Sequence, residues 1–423
     1  MLGDHMDQTT CCVVGGGPAG MMTGLLLARA GVRVTVLEKH ADFLRDFRGD
    51  TVHPSTVRLL DELGLGEEFA RLPQSALTKM HMYAGDRMVV AADLTRIPGR
   101  YRHIAMVPQW DFLDLLARAA ATEPTFTLHM RSAVTGLVHE SGAVAGVRYR
   151  DAEGAERTLR ADLVIACDGR DSVAREAAGL RQQREDVPMD MWFFRIPKAA
   201  DDHAGGAVQA RFTSGNSAVA IDRGDYYQTG YIIGKGSDAA MRAAHEVGWL
   251  RERLGELFGW PETATAAIRS WDDVKLLEVS VGMLEQWAVP GLLCIGDAAH
   301  TMSPVGGVGV NLAIQDAVAA ARTLAAPLLD HRVCLADLKK VQRRRMLPAS
   351  FTQRSQRGEH DLLIAPALRG NLHTAPLPLR VVDAVPPLAG LAAYLGGIGL
   401  RPEHAPDFAR RPSGTTPRPS TAR

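Results

Sequence analysis

The sequence has few cysteines, no long uninterrupted apolar run and no excess of charge of either sign. Its five cysteines show no CxxC or Cys/His ligand spacing, which argues against a disulfide framework and against a metal site. Lys plus Arg and Asp plus Glu number 48 each, so no net field attracts nucleic acid. No stretch reaches the roughly 18 consecutive apolar residues of a membrane span. These absences favour a small neutral partner and a cytoplasmic location.

The two ends of the sequence carry little apolar patterning. MLGDHMDQTT lacks the apolar core of a secretory signal. PLAGLAAYLGGIGL at 387–400 is apolar but broken by glycines, and it is predicted to dock on the core or on another subunit rather than on a membrane. Residues 401–423 are rich in Pro, Arg, Ser and Thr and are predicted to be disordered.

A glycine-rich turn near the start of the chain has the pattern of a dinucleotide site. An apolar run at 11–14, helical spacing from 18 to 30 and an alternating segment at 32–38 together predict a βαβ unit. Gly15, Gly17 and Gly20 complete GxGxxG: the first permits a tight turn, the second lets a pyrophosphate approach the backbone, and the third allows close helix packing. Glu38 ends the second strand, where a carboxylate accepts ribose hydroxyls and would repel a 2′-phosphate. The unit therefore predicts FAD or NAD, and we include the adjacent Lys39 in the site.

Two later segments also consist of an apolar strand followed by a glycine-containing turn. They read LVIACDGRDSVAR at 163–175 and LLCIGDAAHTMSPVGGVGVN at 292–311. Each strand delivers an aspartate, Asp168 or Asp297, to the carboxyl edge of the sheet, where ligands bind in open α/β proteins. A purely structural alternative for the first segment is that Asp168 and Ser172 cap a helix at 172–178. The three turns together indicate a single bound flavin dinucleotide.

With the motifs GxGxxG, DGxxSxxR and GDAAHxxxPxGGxGxN, the chain resembles the single-component FAD-dependent aromatic hydroxylases, the para-hydroxybenzoate hydroxylase family. The similarity runs from about Cys12 to about His404. It implies FAD as cofactor, NADPH or NADH as a transient reductant, and O2 as co-substrate. It further implies hydroxylation of an aromatic or polycyclic small molecule through a flavin C4a-hydroperoxide. A second βαβ glycine fingerprint is missing, because Gly142 and Gly146 lie in a hairpin pattern.

The third motif supplies most of the expected contacts with the flavin. Asp297 would accept hydrogen bonds from ribityl hydroxyls, and the glycines of PVGGVGVN, Gly307 and Gly309 among them, would press backbone against the ring. A helix beginning near Asn311 would aim its positive end at the pyrimidine edge. By the resemblance, the amides of Val310 and Asn311 would face that edge and Pro304 would lie near the reactive face.

The resemblance assigns further residues to the cofactor, and it leaves the reaction without a side-chain base. Arg48 would contact the FAD pyrophosphate, with a solvated surface charge as the alternative, and Gln109 would contact the cofactor. Asp168 and Gly169 would form a contact that FAD and NAD(P)H share. His300 is predicted to be a structural hydrogen-bonding residue behind the flavin rather than a general base.

These patterns predict an α/β fold with a Rossmann-like FAD-binding domain, an inserted antiparallel-sheet substrate domain and C-terminal helices. The predicted segments are 8–75, 106–178 and 276–330 for FAD, 76–105 and 179–275 for the substrate lobe, 331–404 for the helices, and 405–423 for a disordered tail. A helix over 335–360 is expected to break at Pro348, with Arg343 to Arg345 on a solvated face. The residues proposed to line the substrate pocket, which could equally belong to the core of the sheet, are Met82, Trp192, Phe194, Tyr226 and Tyr231.

Three alternatives remain beside the hydroxylase. WFFRIP at 192–197 resembles the halogenase WxWxIP, although Phe194 replaces its second Trp. The same scaffold could also serve a flavin reductase, or a regulatory module that binds FAD without turnover. The chain is expected to act as a monomer or homodimer.

Overall fold

The computed structural model describes residues 7–44, 51–198 and 208–412. The strands are β1 Asp7–Val14, β2 Val34–Leu37, β3 Thr51–Val52, β4 Ser75–Leu77, β5 Lys79–Ala84, β6 Arg87–Asp93, β7 Ile104–Met106, β8 Phe126–His129, β9 Ala133–Glu140, β10 Ala143–Arg150, β11 Glu156–Ala166, β12 Gln182–Glu185, β13 Met189–Pro197, β14 Val208–Thr213, β15 Asn216–Asp222, β16 Tyr226–Gly234, β17 Lys275–Leu277, β18 Val281–Leu284, β19 Ala288–Val289, β20 Leu292–Cys294 and β21 His300–Thr301.

The helices are α1 Pro18–Arg29, α2 Pro54–Glu62, α3 Gly66–Ala70, α4 Gln109–Ala121, α5 Val173–Ala177, α6 Asp238–Ala244, α7 Val247–Phe258, α8 Glu262–Thr265, α9 Gly309–Leu329, α10 Leu335–Glu359, α11 Ala365–Leu368, α12 Leu377–Ala384 and α13 Pro386–Ala393.

A parallel sheet forms the centre of the nucleotide-binding part. Its strands lie in the order β20-β11-β1-β2-β8, all parallel, and β19 extends the β20 edge antiparallel. β9 and β10 form an antiparallel hairpin joined to β11, as the sequence predicts. Because helices cover the centre of the parallel sheet, the last residues of β1 and β11 are apolar and buried, and Cys11, Cys12 and Val13 have no exposed surface.

A second sheet of seven strands has the order β17-β13-β16-β15-β14-β5-β6. The sequence predicts that 79–91 joins the strands of 189–236, and β5 indeed pairs with β14. That pairing is parallel, whereas the rest of the sheet is antiparallel. The fold is therefore the predicted α/β arrangement with a separate sheet domain, with one parallel junction inside that domain.

The C-terminal region differs from the prediction in two respects. Helix α10 runs without a break through Pro348, because this proline is buried and packing of the helix offsets the lost backbone hydrogen bond. Residues 401–411 are ordered, and Ala405 and Ala409 are buried. The expected disordered tail is thus wrong for this stretch, since small apolar and charged residues find partners in the core.

The segment 387–400 docks as predicted: Ala389, Gly390 and Ala393 of α13 are buried. In the part of the chain that the structure describes, one helical stretch, Val305–Leu329, is long and apolar enough to cross a membrane, and 72% of its apolar window is buried inside the fold. The bent pair α12 and α13 passes the same test of composition only when its two helices are counted together.

Candidate active site

The three glycine-containing turns meet at one edge of the parallel sheet. β11 pairs with β1 on one side and with β20 on the other, all in the same direction. The turns that follow these strands, at Gly15, Asp168 and Gly296, therefore leave the sheet at neighbouring positions. This carboxyl edge is where open α/β sheets bind their ligands.

The first turn shows why each glycine is needed. Gly15 has φ of +97°, and a Cβ there would lie 2.6 Å from the carbonyl oxygen of Cys167. A Cβ on Gly20 would lie 1.8 Å from the carbonyl oxygen of Gly15. No atom of the described residues lies within 4 Å of a Cβ on Gly17. Two glycines are thus required by packing, whereas Gly17 faces open space at the start of α1, as a site for a pyrophosphate requires.

Glu38 lies against the same turn. It follows β2 with 6% of its surface exposed, and its Oε2 accepts a hydrogen bond of 2.7 Å from the Gly16 amide. Its Oε1 accepts a second hydrogen bond, of 2.9 Å, from the His40 amide. Lys39, between them in sequence, is exposed. Arg48 lies outside the described residues.

The second turn contains both the predicted cap and a polar atom without a partner. Ser172 Oγ accepts a hydrogen bond from the Arg175 amide (3.0 Å), and Asp168 Oδ2 accepts one from the Ala174 amide (3.2 Å), so the capping role is confirmed. Asp168 Oδ1 is buried and has no partner among the residues that the structure describes. Burial raises the pKa of this carboxyl group. A ligand hydroxyl or amide would satisfy the atom, which fits a dinucleotide at this edge. Gly169 beside it has φ of +85°.

The third turn is joined to the second by Arg175, whose guanidinium donates to the carbonyl oxygens of Arg170 (2.7 Å) and Ala298 (3.3 Å). Asp297 lies in a single 3₁₀ turn directly after β20, half-buried. Its carbonyl oxygen accepts a hydrogen bond of 3.2 Å from Gln182. The structure thus places the aspartates of both later motifs at one edge.

The loop between β21 and α9 is shaped by glycine and fixed by a threonine. Gly306 and Gly307 have φ of +76° and +63°. Thr51 Oγ1, at the start of β3, donates a hydrogen bond of 2.7 Å to the carbonyl oxygen of Gly307. Pro304 and Val305 precede the glycines and are half-buried. The backbone of this loop is therefore held in a defined conformation.

Helix α9 begins at Gly309, two residues before the predicted start near Asn311. Gly309, Val310 and Asn311 form its first turn, where backbone amides have no acceptor inside the helix. Asn311 is buried, and its side-chain oxygen accepts hydrogen bonds from Ser55 (3.0 Å) and Thr56 (2.5 Å) at the start of α2. The first turn of α9 is thus held rigidly, with its partial positive charge at the same edge.

His300 is placed as a structural residue. Its side chain is 1% exposed, and its Nε2 lies 2.6 Å from Asp316 Oδ2 in the middle of α9. Arg345 donates from Nε to the other oxygen of Asp316 at 2.8 Å and is itself 1% exposed. The expectation of a solvated face is therefore wrong for Arg345, because its charge is matched in the core. Gln109 is the first residue of α4, at the head of the helix as predicted, and it is buried.

The seven-stranded sheet has two different faces, and this corrects the predicted pocket. Trp192, Phe194 and Tyr231 are buried together and pack against α7. Their alternation along β13 and β16 places them on the face away from the loop at 304–308. These three expected pocket residues are thus core residues, because a strand directs successive side chains to opposite faces.

The other face of this sheet carries the residues that meet the loop. Met82 packs there with Met191, Phe193, Phe212 and Val305. Tyr226, the first residue of β16, lies on this face as well. The centre of its ring is 5.0 Å from the Arg195 guanidinium. Of the predicted pocket residues, only Met82 is therefore placed next to the loop.

Sequence reasoning missed the side chains that hold this loop from α10. Gln356 donates to the carbonyl oxygens of Ser303 (2.9 Å) and Val305 (2.8 Å) and accepts from the Ser303 amide (3.1 Å). His360 Nε2 lies 2.8 Å from Ser303 Oγ. Their spacing of four residues on a helix was the available signal, but nothing in the sequence shows what they contact.

Comparison with known proteins agrees with a flavin site at these turns. The FAD binding domain family matches residues 8–346. A 6-methylpretetramide 4-monooxygenase from Streptomyces rimosus is 37% identical over 324 residues, with 74% of each chain covered. Seven further curated monooxygenases and hydroxylases, at 24% to 28% identity, are covered over only 56% to 65% of their own length.

Solved structures share the fold. The anhydrotetracycline hydroxylase OxyS from Streptomyces rimosus superposes with a TM-score of 0.73 at 24% identity, covering 95% of this chain and 78% of that one. The myxobacterial chondrochloren halogenase CndH superposes with a TM-score of 0.70 at 19% identity, covering 96% and 99%. The fold is therefore common to a hydroxylase and a halogenase and does not separate them.

Proposed function

Because the chain belongs to the para-hydroxybenzoate hydroxylase-like family of FAD-dependent aromatic monooxygenases, we propose that its substrate is a polycyclic phenol and its reductant NADPH or NADH. The family establishes that the protein is an enzyme, with FAD as cofactor and O2 as co-substrate. This excludes the regulatory module without turnover.

One observation carries the choice of a polycyclic substrate: 37% identity with a protein named for its action on 6-methylpretetramide. The sheet face next to the loop supports it, because Met82 and Phe193 are only partly buried there and offer apolar surface beside a cluster that contains Met191, Phe212 and Leu363. Such a surface suits a flat fused-ring compound, which gains affinity from the apolar area that it buries.

The residues of the three turns would hold FAD. We propose that the start of α1 at Gly17 and Gly20 receives the pyrophosphate and that Glu38 receives the ribose hydroxyls. Asp297 would bind the ribityl chain, and the first turn of α9 at Val310 and Asn311 would face the pyrimidine edge. Bound and reduced, FAD supplies the chemistry that activates O2 for transfer of one oxygen atom to the ring.

The protein's own contribution is position and exclusion of water. The loop at 304–308, fixed by Thr51 and Gln356, would orient the ring of the substrate between itself and the sheet face, with Pro304 at the reactive side. NAD(P)H would bind transiently. Within the described residues, β9 and β10 form a hairpin where a second nucleotide βαβ unit would be needed.

The test is NAD(P)H oxidation with O2 uptake across a panel of fused-ring phenols, single-ring phenols and quinolones, with ¹⁸O₂ to label the product. We expect the fused-ring phenols to stimulate both rates and to gain one labelled oxygen. Stimulation by single-ring phenols alone would overturn the proposed substrate class. Chloride-dependent halogenated product would favour the halogenase, and NAD(P)H-driven reduction of the substrate without O2 consumption would favour the reductase.

The WFFRIP segment does not strengthen the halogenase alternative. Trp192, Phe194 and Ile196 are packed together under α7, on the sheet face away from the loop. We further propose a cytoplasmic monomer or homodimer, which cell fractionation and light scattering would check.

A further inference from the structure

A buried carboxylate lies at the centre of a charge network behind the third turn. Asp316 of α9 has no exposed surface. Its Oδ2 accepts from the Gly296 amide (3.1 Å) and lies 2.6 Å from His300 Nε2, while its Oδ1 accepts from Arg345 Nε (2.8 Å). Burial alone would raise the pKa of Asp316, but the charges and hydrogen bonds of His300 and Arg345 hold it below its ordinary value. Asp316 therefore connects the turn that contains Asp297 to two helices, α9 and α10.

A second carboxylate extends this network to the C-terminal segment. Arg345 Nη1 lies 3.9 Å from Glu403 Oε1, and both side chains are 1% exposed. Arg344 donates to the two oxygens of Glu403 at 2.6 and 2.8 Å. The Glu403 amide donates a hydrogen bond of 2.9 Å to Oε1 of Gln315, the residue before Asp316 in α9. Glu403 is thus connected to Asp316 both through Arg345 and through the helix itself.

We call residues 401–411 the C-terminal strap. After Glu403, the strap contacts Glu62 at the end of α2. His404 Nδ1 lies 2.6 Å from Glu62 Oε1, and the Ala405 amide donates a hydrogen bond of 2.7 Å to Glu62 Oε2. Arg29, at the end of α1, donates a hydrogen bond of 2.9 Å to the carbonyl oxygen of Ala409. The strap therefore contacts the rear of α1 and α2 and the flank of α9. All three helices begin at the proposed cofactor site.

We propose that the C-terminal strap is a positioning element for FAD, acting through Glu403, Arg345 and Asp316 on the Gly296–Asp297 turn. The proposal rests on FAD binding at the three turns, as given under the proposed function. None of the strap residues is placed in contact with the cofactor. Their effect passes through α9 and the turn, because a buried charge that loses its partner forces its neighbours to rearrange.

The test compares Glu403→Gln with Asp407→Asn. The first keeps the shape of the side chain and removes its charge. The second makes the same kind of change on the same strap, at a side chain that is fully exposed. Arg344→Gln is a milder variant, since the Arg344 side chain is itself 45% exposed and Glu403 keeps the charges of Arg345 at 3.9 Å and Arg322 at 3.8 Å. Each holoenzyme is deflavinated and retitrated with FAD, without substrate, and circular dichroism checks its folding.

We expect Glu403→Gln to raise the Kd for FAD at least about tenfold, Arg344→Gln to raise it by a smaller factor, and Asp407→Asn to leave it at the wild-type value. The visible flavin band and the midpoint potential of the bound FAD should shift in the first two variants. An unchanged Kd and unchanged potential in both would overturn the proposal and leave the strap a purely structural segment. Because no substrate is present, failure of the polycyclic-substrate proposal would not affect this result.

Discussion

Within the GxGxxG motif, Gly17 differs from Gly15 and Gly20, because close packing does not require a glycine at position 17. At φ of −74° and with nothing within 4 Å of an added Cβ, it tolerates alanine as far as the protein itself is concerned. We expect Gly17→Ala to leave the melting temperature unchanged and to weaken FAD binding at least about tenfold, since the methyl group would occupy the space of a phosphate. FAD titration and thermal unfolding of the apoprotein measure the two effects.

Gly20→Ala is the control for this prediction. Its Cβ would lie 1.8 Å from the carbonyl oxygen of Gly15, so both the melting temperature and FAD binding should fall. If Gly17→Ala bound FAD as tightly as the wild type, the pyrophosphate would have to lie elsewhere.

At the residue scale, the sequence predicted best where one residue type meets one local requirement. The conformation of Gly15 and the close packing of Gly20 follow from a fingerprint that is contiguous in sequence. Arg345 could not be predicted in the same way. Its partners Asp316 and Glu403 lie 29 and 58 residues away along the chain, so the RRR run indicated solvent exposure.

At the scale of elements, the loop before α9 depends on a short strand from the other end of the domain. Thr51 of β3 bonds to Gly307, 256 residues later in sequence. Thr51→Val removes this hydrogen bond at constant volume and should cost about 1 kcal/mol of stability. If the loop faces the flavin, oxygen consumption should also become less coupled to product, which the ratio of hydroxylated product to NAD(P)H consumed would measure.

Gly309→Ala is the comparison for the loop, because nothing lies within 4 Å of its Cβ and its φ is not positive. We expect it to keep the stability of the wild type. Equal coupling in Thr51→Val and the wild type would show that the hydrogen bond serves stability alone.

The elements themselves were predictable where periodicity is local, as for β13, which covers the predicted residues 189–197. The continuity of α10 through Pro348 was not, because the packing that compensates for a missing amide comes from other elements. The strap was missed for a related reason: its composition is that of a disordered tail, and its partners, Arg29, Glu62 and Arg344 among them, lie far from it in the sequence.

At the scale of the whole molecule, we expect the seven-stranded sheet to separate stability from substrate binding by face. Trp192 and Phe193 are neighbours on β13 that point in opposite directions. Trp192→Phe loses the 2.6 Å hydrogen bond from its indole to Asp238 and should cost about 1–3 kcal/mol of stability, with KM unchanged. Phe193→Ala should raise KM for a fused-ring phenol about tenfold or more, because it removes aromatic contact from the proposed pocket.

Steady-state kinetics and urea unfolding of both variants decide the assignment of the faces. A KM effect confined to Trp192→Phe would reverse it. The existence of this sheet followed from the alternating pattern of its strands, but the choice of face did not. Which side of a strand meets the cofactor domain depends on pairings such as β5 with β14, which no single segment encodes.

The hydrogen bond from Arg29 to the carbonyl oxygen of Ala409 closes a loop of 380 residues. During synthesis, the first helix cannot acquire this partner until nearly the entire described chain has left the ribosome. Contacts of such high sequence separation form late and slowly. We therefore expect the glycine turns to form before the strap supports them from behind, and a chaperone or added flavin to increase the yield most during this interval.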